Sequence, residues 1–150
     1  PSAVTRMVDM GVPGYLVASS VIAVLAQRLV RVICKRCKQG YEPPQTVLEE
    51  AGITREMAKN ANFARGRGCP YCQNKGFRGR LAVFEIMLVD AKIRDLIFSA
   101  ATTTDIRKAA IAQGMTTLFI DGIRKAMDGT TTIEEVYRVA KRTEQDAIMA

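Results

Sequence analysis

The stretches "CKRCKQGY" (Cys34–Tyr41) and "CPYCQNKG" (Cys69–Gly76) contain all four cysteines of this 150-residue chain. Each is a C-x2-C pair, and 31 residues separate the two pairs. A C-x2-C turn sets two sulfurs near the ~3.7 Å separation that zinc–sulfur bonds of about 2.3 Å require, so the doubled pattern predicts a tetrahedral four-thiolate site. The predicted metal ligands are Cys34, Cys37, Cys69 and Cys72. Both knuckles end in glycine, Gly40 and Gly76, where a positive φ could aim backbone amides at the sulfurs, and Pro70 stiffens the second turn. The alternatives are two disulfides or four buried thiols. Disulfides call for an oxidising compartment, and a redox pair accounts for one C-x2-C but not two. The chain has no histidine. A His-ligated catalytic zinc is therefore excluded, and four sulfurs leave no open position for substrate, so the predicted zinc is structural.

Charge gathers around the same residues. The net charge is +7, and Arg28–Lys38 and Arg65–Arg80 each carry five Lys/Arg and no acid, together ten of the 22 basic residues. The rest of the chain holds 12 bases against 15 acids, so the excess belongs to the cysteine region. Four thiolates around one zinc carry about −2, and flanking cations offset that charge and lower thiol pKa values. The same cations, with Tyr71 and Phe77 as stacking partners, would also suit nucleic acid, acidic protein or anionic lipid.

Along the chain three regions are expected. Residues 1–31 contain the longest apolar segment, Tyr15–Ala26, predicted as a buried helix whose packing partner lies outside this sequence. Residues 32–89 hold the cysteine pairs, with the Pro43-Pro44 turn and a polar helical stretch between them. They end in "GRLAVFEIMLV", a strand pattern expected to pair with "RLVRVI". Residues 90–150 read as short amphipathic helices forming a small bundle. Asp90 is expected to cap a helix with apolar face Ile93, Leu96, Ile97 and Ala100; Thr103 or Thr104 to cap a second; and Thr132 with Glu135 to form a capping box. The fold class is α+β, mostly helical: a zinc-ribbon-like subdomain followed by a small helical bundle.

At 48% apolar and 25% charged residues the composition is that of a globular protein. No stretch approaches the roughly 18 consecutive apolar residues of a membrane span. No secretory signal precedes an apolar run, and the chain, beginning at Pro1, reads as a piece of something longer. With no glycine-rich phosphate loop and no nucleophile beside a base, no catalytic and no cofactor-binding residue is assigned, and the chain is expected to catalyse nothing by itself.

Three quoted segments then carry a resemblance: "AVTRMVDMGVPGYLVASSVIAVLAQRLVRVICKRC", "GCPYCQNKGFRGRLAVFEIM" and "IRKAAIAQGMTTLFIDGIRKAMDGTTTIEEVYRV". In succession they resemble the C-terminal part of the type II secretion and type IV pilus assembly ATPases, the GspE/PilB family, over Ala3 to about Arg142. The resemblance implies a cytoplasmic, Mg-ATP-driven homo-hexamer, peripheral to the inner membrane, that works an inner-membrane platform protein. It implies that residues 1–31 are the tail of a RecA-like ATPase core, 32–89 a tetracysteine zinc subdomain and 90–150 a terminal helical subdomain. The family's Walker A, Asp box, Walker B and His box would lie upstream, so ATP and Mg are expected only in the full-length parent. Arg6 and Arg28 lie in core-like stretches, where they could contact a neighbouring element or nucleotide in the full protein; surface charge and helix-end pairing is the favoured reading. The competing reading is a zinc-ribbon nucleic-acid-binding module.

Overall fold

A computed structural model describes residues 1–146. These residues form an α+β chain with α1 (Ser2–Asp9), α2 (Gly14–Ser20), β1 (Ala23–Ile33), β2 (Lys38–Gly40), α3 (Gln45–Ala51), α4 (Arg55–Lys59), β3 (Ala64–Gly66), β4 (Phe77–Leu88), α5 (Ala91–Phe98), α6 (Thr103–Ala112), α7 (Leu118–Met127) and α8 (Ile133–Val139). β1 pairs with β4, and β2 pairs antiparallel with β3, Gln39 opposite Arg65. The described chain divides into two compact units, one of Pro1–Ala26 with Phe84–Thr117, the other of Gln27–Val83 with residues 118–146. These units cut across the three sequential regions expected above, because β1 and β4 each begin in one unit and end in the other. The end of the 90–150 region, residues 147–150, lies outside the described residues.

The strand pattern of "LAVFEIML" is realised in β4. Val83, Glu85 and Met87 are buried while Phe84, Ile86 and Leu88 are exposed, the period-2 alternation of a half-buried strand. "RLVRVI" lies in its partner β1, as expected.

In the first unit, Val17 of α2, Met87 and Val89, Ile93 and Ile97 of α5, and Ile106 of α6 share one apolar core. The inward Glu85 is balanced by Arg107, 3.7 Å away. Asp90 caps α5 by accepting the Ile93 N–H at 2.9 Å, and Gln113 Nε2 donates to its other oxygen at 2.7 Å. The Ile93 amide foremost holds the Asp90 carboxyl below its ordinary pKa. The cap of α6 is Thr102, whose hydroxyl accepts the Asp105 N–H, one residue earlier than expected.

The predicted buried helix Tyr15–Ala26 is corrected by the structure. The helix ends at Ser20, Val21 is extended (φ −83°, ψ 121°), and Ala23 opens β1. The reason lies in two serines, which compete for backbone hydrogen bonds, followed by the β-branched pair Val21-Ile22. Ser19 Oγ indeed donates back to the Leu16 carbonyl. Only Val17 and Ala18 of the segment are buried, and Tyr15, Leu16, Ile22 and Leu25 are exposed.

In the second unit Leu48, Ile53 and Met57 of the α3–α4 region pack with Phe119, Ile120 and Ile123 of α7 and Ile133 and Val136 of α8. Gly122 permits the close crossing of the last two helices, since a Cβ there would stand 2.7 Å from Val136 Cγ1. The helices of the expected small bundle serve two cores, α5 and α6 one and α7 and α8 the other. Helical periodicity marks each apolar stripe but not the stripe it meets.

Thr132 caps α8 by accepting the Glu135 N–H, but the reciprocal half of the expected capping box is absent. The Glu135 carboxylate instead accepts the Arg31 backbone N–H at 3.1 Å, Arg31 Nη2 at 2.5 Å and Arg138 Nη2 at 3.1 Å. Thr131 Oγ1 donates to the Arg31 carbonyl at 2.8 Å, and the Arg31 guanidinium lies over the Phe77 ring, 4.4 Å from its centroid. Burial pushes the Glu135 carboxyl up, yet the bonds from Arg31 and Arg138 outweigh it and bring it from 4.5 to about 2. Because the folded value is depressed, this stabilisation is fully present above about pH 4.5 and is lost as pH falls toward 2. Glu135→Gln should cost about 2 kcal/mol at neutral pH. Urea unfolding of wild type and variant from pH 7 down to pH 3 should show the two curves converging.

Candidate metal centre

The four cysteines converge. All four Sγ atoms lie within 4.8 Å of one another, with Cys34–Cys69 at 3.9 Å, Cys37–Cys72 at 3.8 Å and Cys69–Cys72 at 3.7 Å. Those are the edge lengths of a tetrahedron with metal–sulfur bonds of about 2.3 Å. Cys34 and Cys72 are buried, Cys37 and Cys69 half-buried.

Backbone geometry explains why the sulfurs meet. β1 ends at Ile33, so Cys34 follows directly, and its N–H donates to the Gly76 carbonyl at 2.9 Å. The first knuckle closes with Cys37 N–H on the Cys34 carbonyl at 3.2 Å. The second is a single 3-10 turn, Pro70–Cys72, with Cys72 N–H on the Cys69 carbonyl at 3.1 Å. Gly76 adopts φ +73° and its N–H donates to Cys72 Sγ at 3.3 Å, as expected for the glycine that ends a knuckle. Cys69 N–H donates to the same sulfur at 3.2 Å.

Gly40 does not play the matching part. It sits in β2 opposite Ala64, outside the positive-φ residues. The amide directed at Cys37 comes instead from Gly68, at φ +92°, on the other knuckle. Its only sequence signal is its place immediately before Cys69, in a "GRG" piece that reads as a plain turn. A further constraint is equally silent in sequence: a Cβ on Gly66 would overlap the Gly76 carbonyl, so the two backbones touch and only glycine fits.

The thiols are electrostatically unequal. Burial pushes Cys72 up, but N–H donation from Cys69 and Gly76 and the neighbouring sulfurs prevail and bring it down to about 6. Burial and the adjacent thiols push Cys37 up to about 12, against the opposing Gly68 amide. Amide donation thus favours the anionic form of Cys72, the form in which a thiol ligates metal.

Both aromatic residues expected as stacking platforms have guanidiniums over their rings, and Tyr71 stays 40% exposed. Arg36 and Arg78 lie over the Tyr71 ring, 3.9 and 4.0 Å from its centroid, and Arg31 covers Phe77. Arg65 lies over Tyr41 at 4.9 Å. Of the core-like arginines, Arg6 is exposed in the last turn of α1 and Arg28 is exposed on β1, away from the cysteines in sequence and bonded to none of them.

Residues 1–138 match the family described as type II/IV secretion system proteins. A type IV pilus assembly ATPase PilB of Thermus thermophilus is 39% identical over 134 residues, 89% of this chain and 15% of that protein. A type II secretion system protein E of Pseudomonas aeruginosa is 38% identical over 139 residues, 93% of this chain and 27% of that protein. A type II secretion system ATPase E of Vibrio cholerae is 39% identical over 142 residues, 94% of this chain and 27% of that protein. The chain therefore spans about a quarter or less of the length of these relatives. Matched by the family across nearly its whole length, this chain belongs to the type II/IV secretion system protein family.

Proposed function

We propose that the chain is the zinc-bearing region of an ATPase that powers type II secretion or type IV pilus assembly, and that its metal centre couples motion of an ATPase core to a partner. The observation that carries the metal reading is the convergence of Cys34, Cys37, Cys69 and Cys72 at zinc-compatible spacing, with amides directed at two of the sulfurs. Bound there, zinc would supply a structural cross-link and no chemistry, because four sulfurs fill its tetrahedral shell. The relatives named as ATPases support the parent's activity.

In this reading residues 1–31 end a RecA-like core, and the parent is a Mg-ATP-driven homo-hexamer at the cytoplasmic face of the inner membrane, acting on a platform protein. No described helix is long and apolar enough to cross a membrane. Coupling follows from continuity. β1 runs unbroken to Ile33, the residue before the first ligand, and β4 opens at Phe77, just after the second knuckle. A displacement of either strand is passed along the backbone to a ligand, and the metal would tie the two strand ends together. The nucleic-acid alternative loses its stacking surface, because guanidiniums already lie on Tyr71 and Phe77.

Elemental analysis of protein prepared without added metal should give about one zinc per chain. A content near zero with four thiols reactive under native conditions would overturn the site. Removal of zinc by a strong chelator, or Cys69→Ser, should destabilise the second unit by several kcal/mol, read as a lowered thermal midpoint.

The 150-residue chain alone should release no phosphate from ATP. In the full-length parent, Cys69→Ser should abolish secretion or pilus extension while nucleotide affinity stays within about threefold of wild type, a change of under 1 kcal/mol. Normal secretion by that variant, or turnover by the isolated chain, would refute the coupling role.

A further inference from the structure

Lys35, Arg36 and Arg78, with Val32, Tyr71 and Gly79, line an open cleft of about 380 Å³ beside the knuckles. Two of its cations are held in place. The Arg36 and Arg78 guanidinium carbons both stand about 4 Å from the centroid of one phenol ring, so close that two planar groups fit only on opposite faces. Arg78 is fixed again by donating from Nη1 to the Tyr71 carbonyl at 2.7 Å. A guanidinium held over a ring keeps N–H groups that can hydrogen-bond elsewhere.

Among the described residues none of these three cations has a carboxylate at ion-pair distance. Their sequence surroundings, Arg28–Lys38 and Arg65–Arg80, contain no acid at all. Compensation of the cysteine cluster does not use them up, since ten cations flank a centre that would carry about −2 with zinc.

We propose that this cleft is a docking site for an acidic protein segment, with Asp or Glu carboxylates received by the edges of Arg36 and Arg78 and a further one by Lys35. Three features select that ligand. A carboxylate matches the planar guanidinium fork in a two-bond geometry, and the ring between them has already restricted both side chains, so less entropy is lost on binding. Single-stranded nucleic acid would need the Tyr71 face that the guanidiniums occupy. A membrane surface is best met by extended cations beside an apolar anchor, whereas here the cations are clamped and the one aromatic is held between them. The proposal rests on the cleft and not on the zinc reading, although Arg36 and Tyr71 sit inside the two knuckles.

Fluorescence anisotropy of a labelled Asp/Glu-rich peptide with the full chain, at about 150 mM salt, tests it. Binding should weaken by about tenfold in Arg36→Gln and in Arg78→Gln, and Arg78→Lys should recover only a small part, because the charge returns without the fork. Lys75→Gln, outside the cleft, should change little. Equal losses in all variants would mean diffuse attraction and overturn the clamp. So would tighter binding of duplex DNA, or of phosphatidylcholine vesicles containing phosphatidylglycerol, than of the peptide, or displacement of the peptide by inorganic phosphate at similar concentration. Zinc is measured on the same preparations: zinc-loaded protein that ignores the peptide refutes the clamp alone, and peptide binding by zinc-free protein refutes the metal reading alone.

Discussion

The pairing of β1 with β4 is the constraint on which the other features depend. The two strands are far apart in sequence, yet each runs directly into or out of a cysteine knuckle, and each contributes residues to both compact units. In the first unit the Val89 amide donates to the Ile22 carbonyl at 2.9 Å, and in the second the Cys34 amide donates to the Gly76 carbonyl at the same distance. That second bond sets the knuckles face to face. Once it forms, Cys34 and Cys69 need only ordinary turns to bring their sulfurs to 3.9 Å. The glycine contact between residues 66 and 76 is the steric expression of the same closeness, because any side chain there would force the backbones apart.

Arg31 shows how one residue serves several levels of organisation. It is a strand residue by its backbone, a partner of Glu135 by its amide and guanidinium, and a cover for Phe77 by its planar face. A buried carboxylate is costly unless its lone pairs are filled, and Glu135 fills them from two arginines and a main-chain N–H. The consequence is that α8 is tied to the strand leading into the first knuckle by charge as well as by the Thr131 hydroxyl. The helix in which the family match ends and the strand that leads into Cys34 are thereby tied together.

Part of the positive charge around the cysteines faces aromatic rings: Tyr41 and Tyr71 within the two knuckle stretches, and Phe77 just after the second, each have a guanidinium over them. At Tyr41 and Tyr71 this arrangement uses the ring quadrupole to hold Arg65, Arg36 and Arg78 without a carboxylate, whereas Arg31 over Phe77 is also paired with Glu135. Held in that way they remain electrostatically available, and it also removes the free aromatic faces that a nucleic-acid surface would present.

The pairing of the cysteines into two knuckles was legible in the sequence because C-x2-C spacing is a local property, fixed by the few dihedrals between two residues. The same holds for the Asp90 and Thr132 caps and for the period-2 pattern of β4, each written within a few neighbouring positions. What sequence reading misassigned was non-local. The apolar run from Tyr15 to Ala26 has the composition of a buried helix, but whether an apolar residue continues a helix or pairs in a ribbon depends on whether a partner strand stands beside it, and β4 lies more than fifty residues away. Glu135 had the right spacing for a capping box and was taken by Arg31, 104 residues distant, because a charged donor binds a carboxylate more strongly than a helix-end amide does. Gly40 and Gly68 are indistinguishable as isolated glycines, and only the meeting of the two knuckles decides which amide reaches Cys37. Thus local spacing determined which atoms could ligate a metal, and the tertiary structure decided which backbone and which cations surround them, since hydrogen bonds and ion pairs are chosen by distance in space.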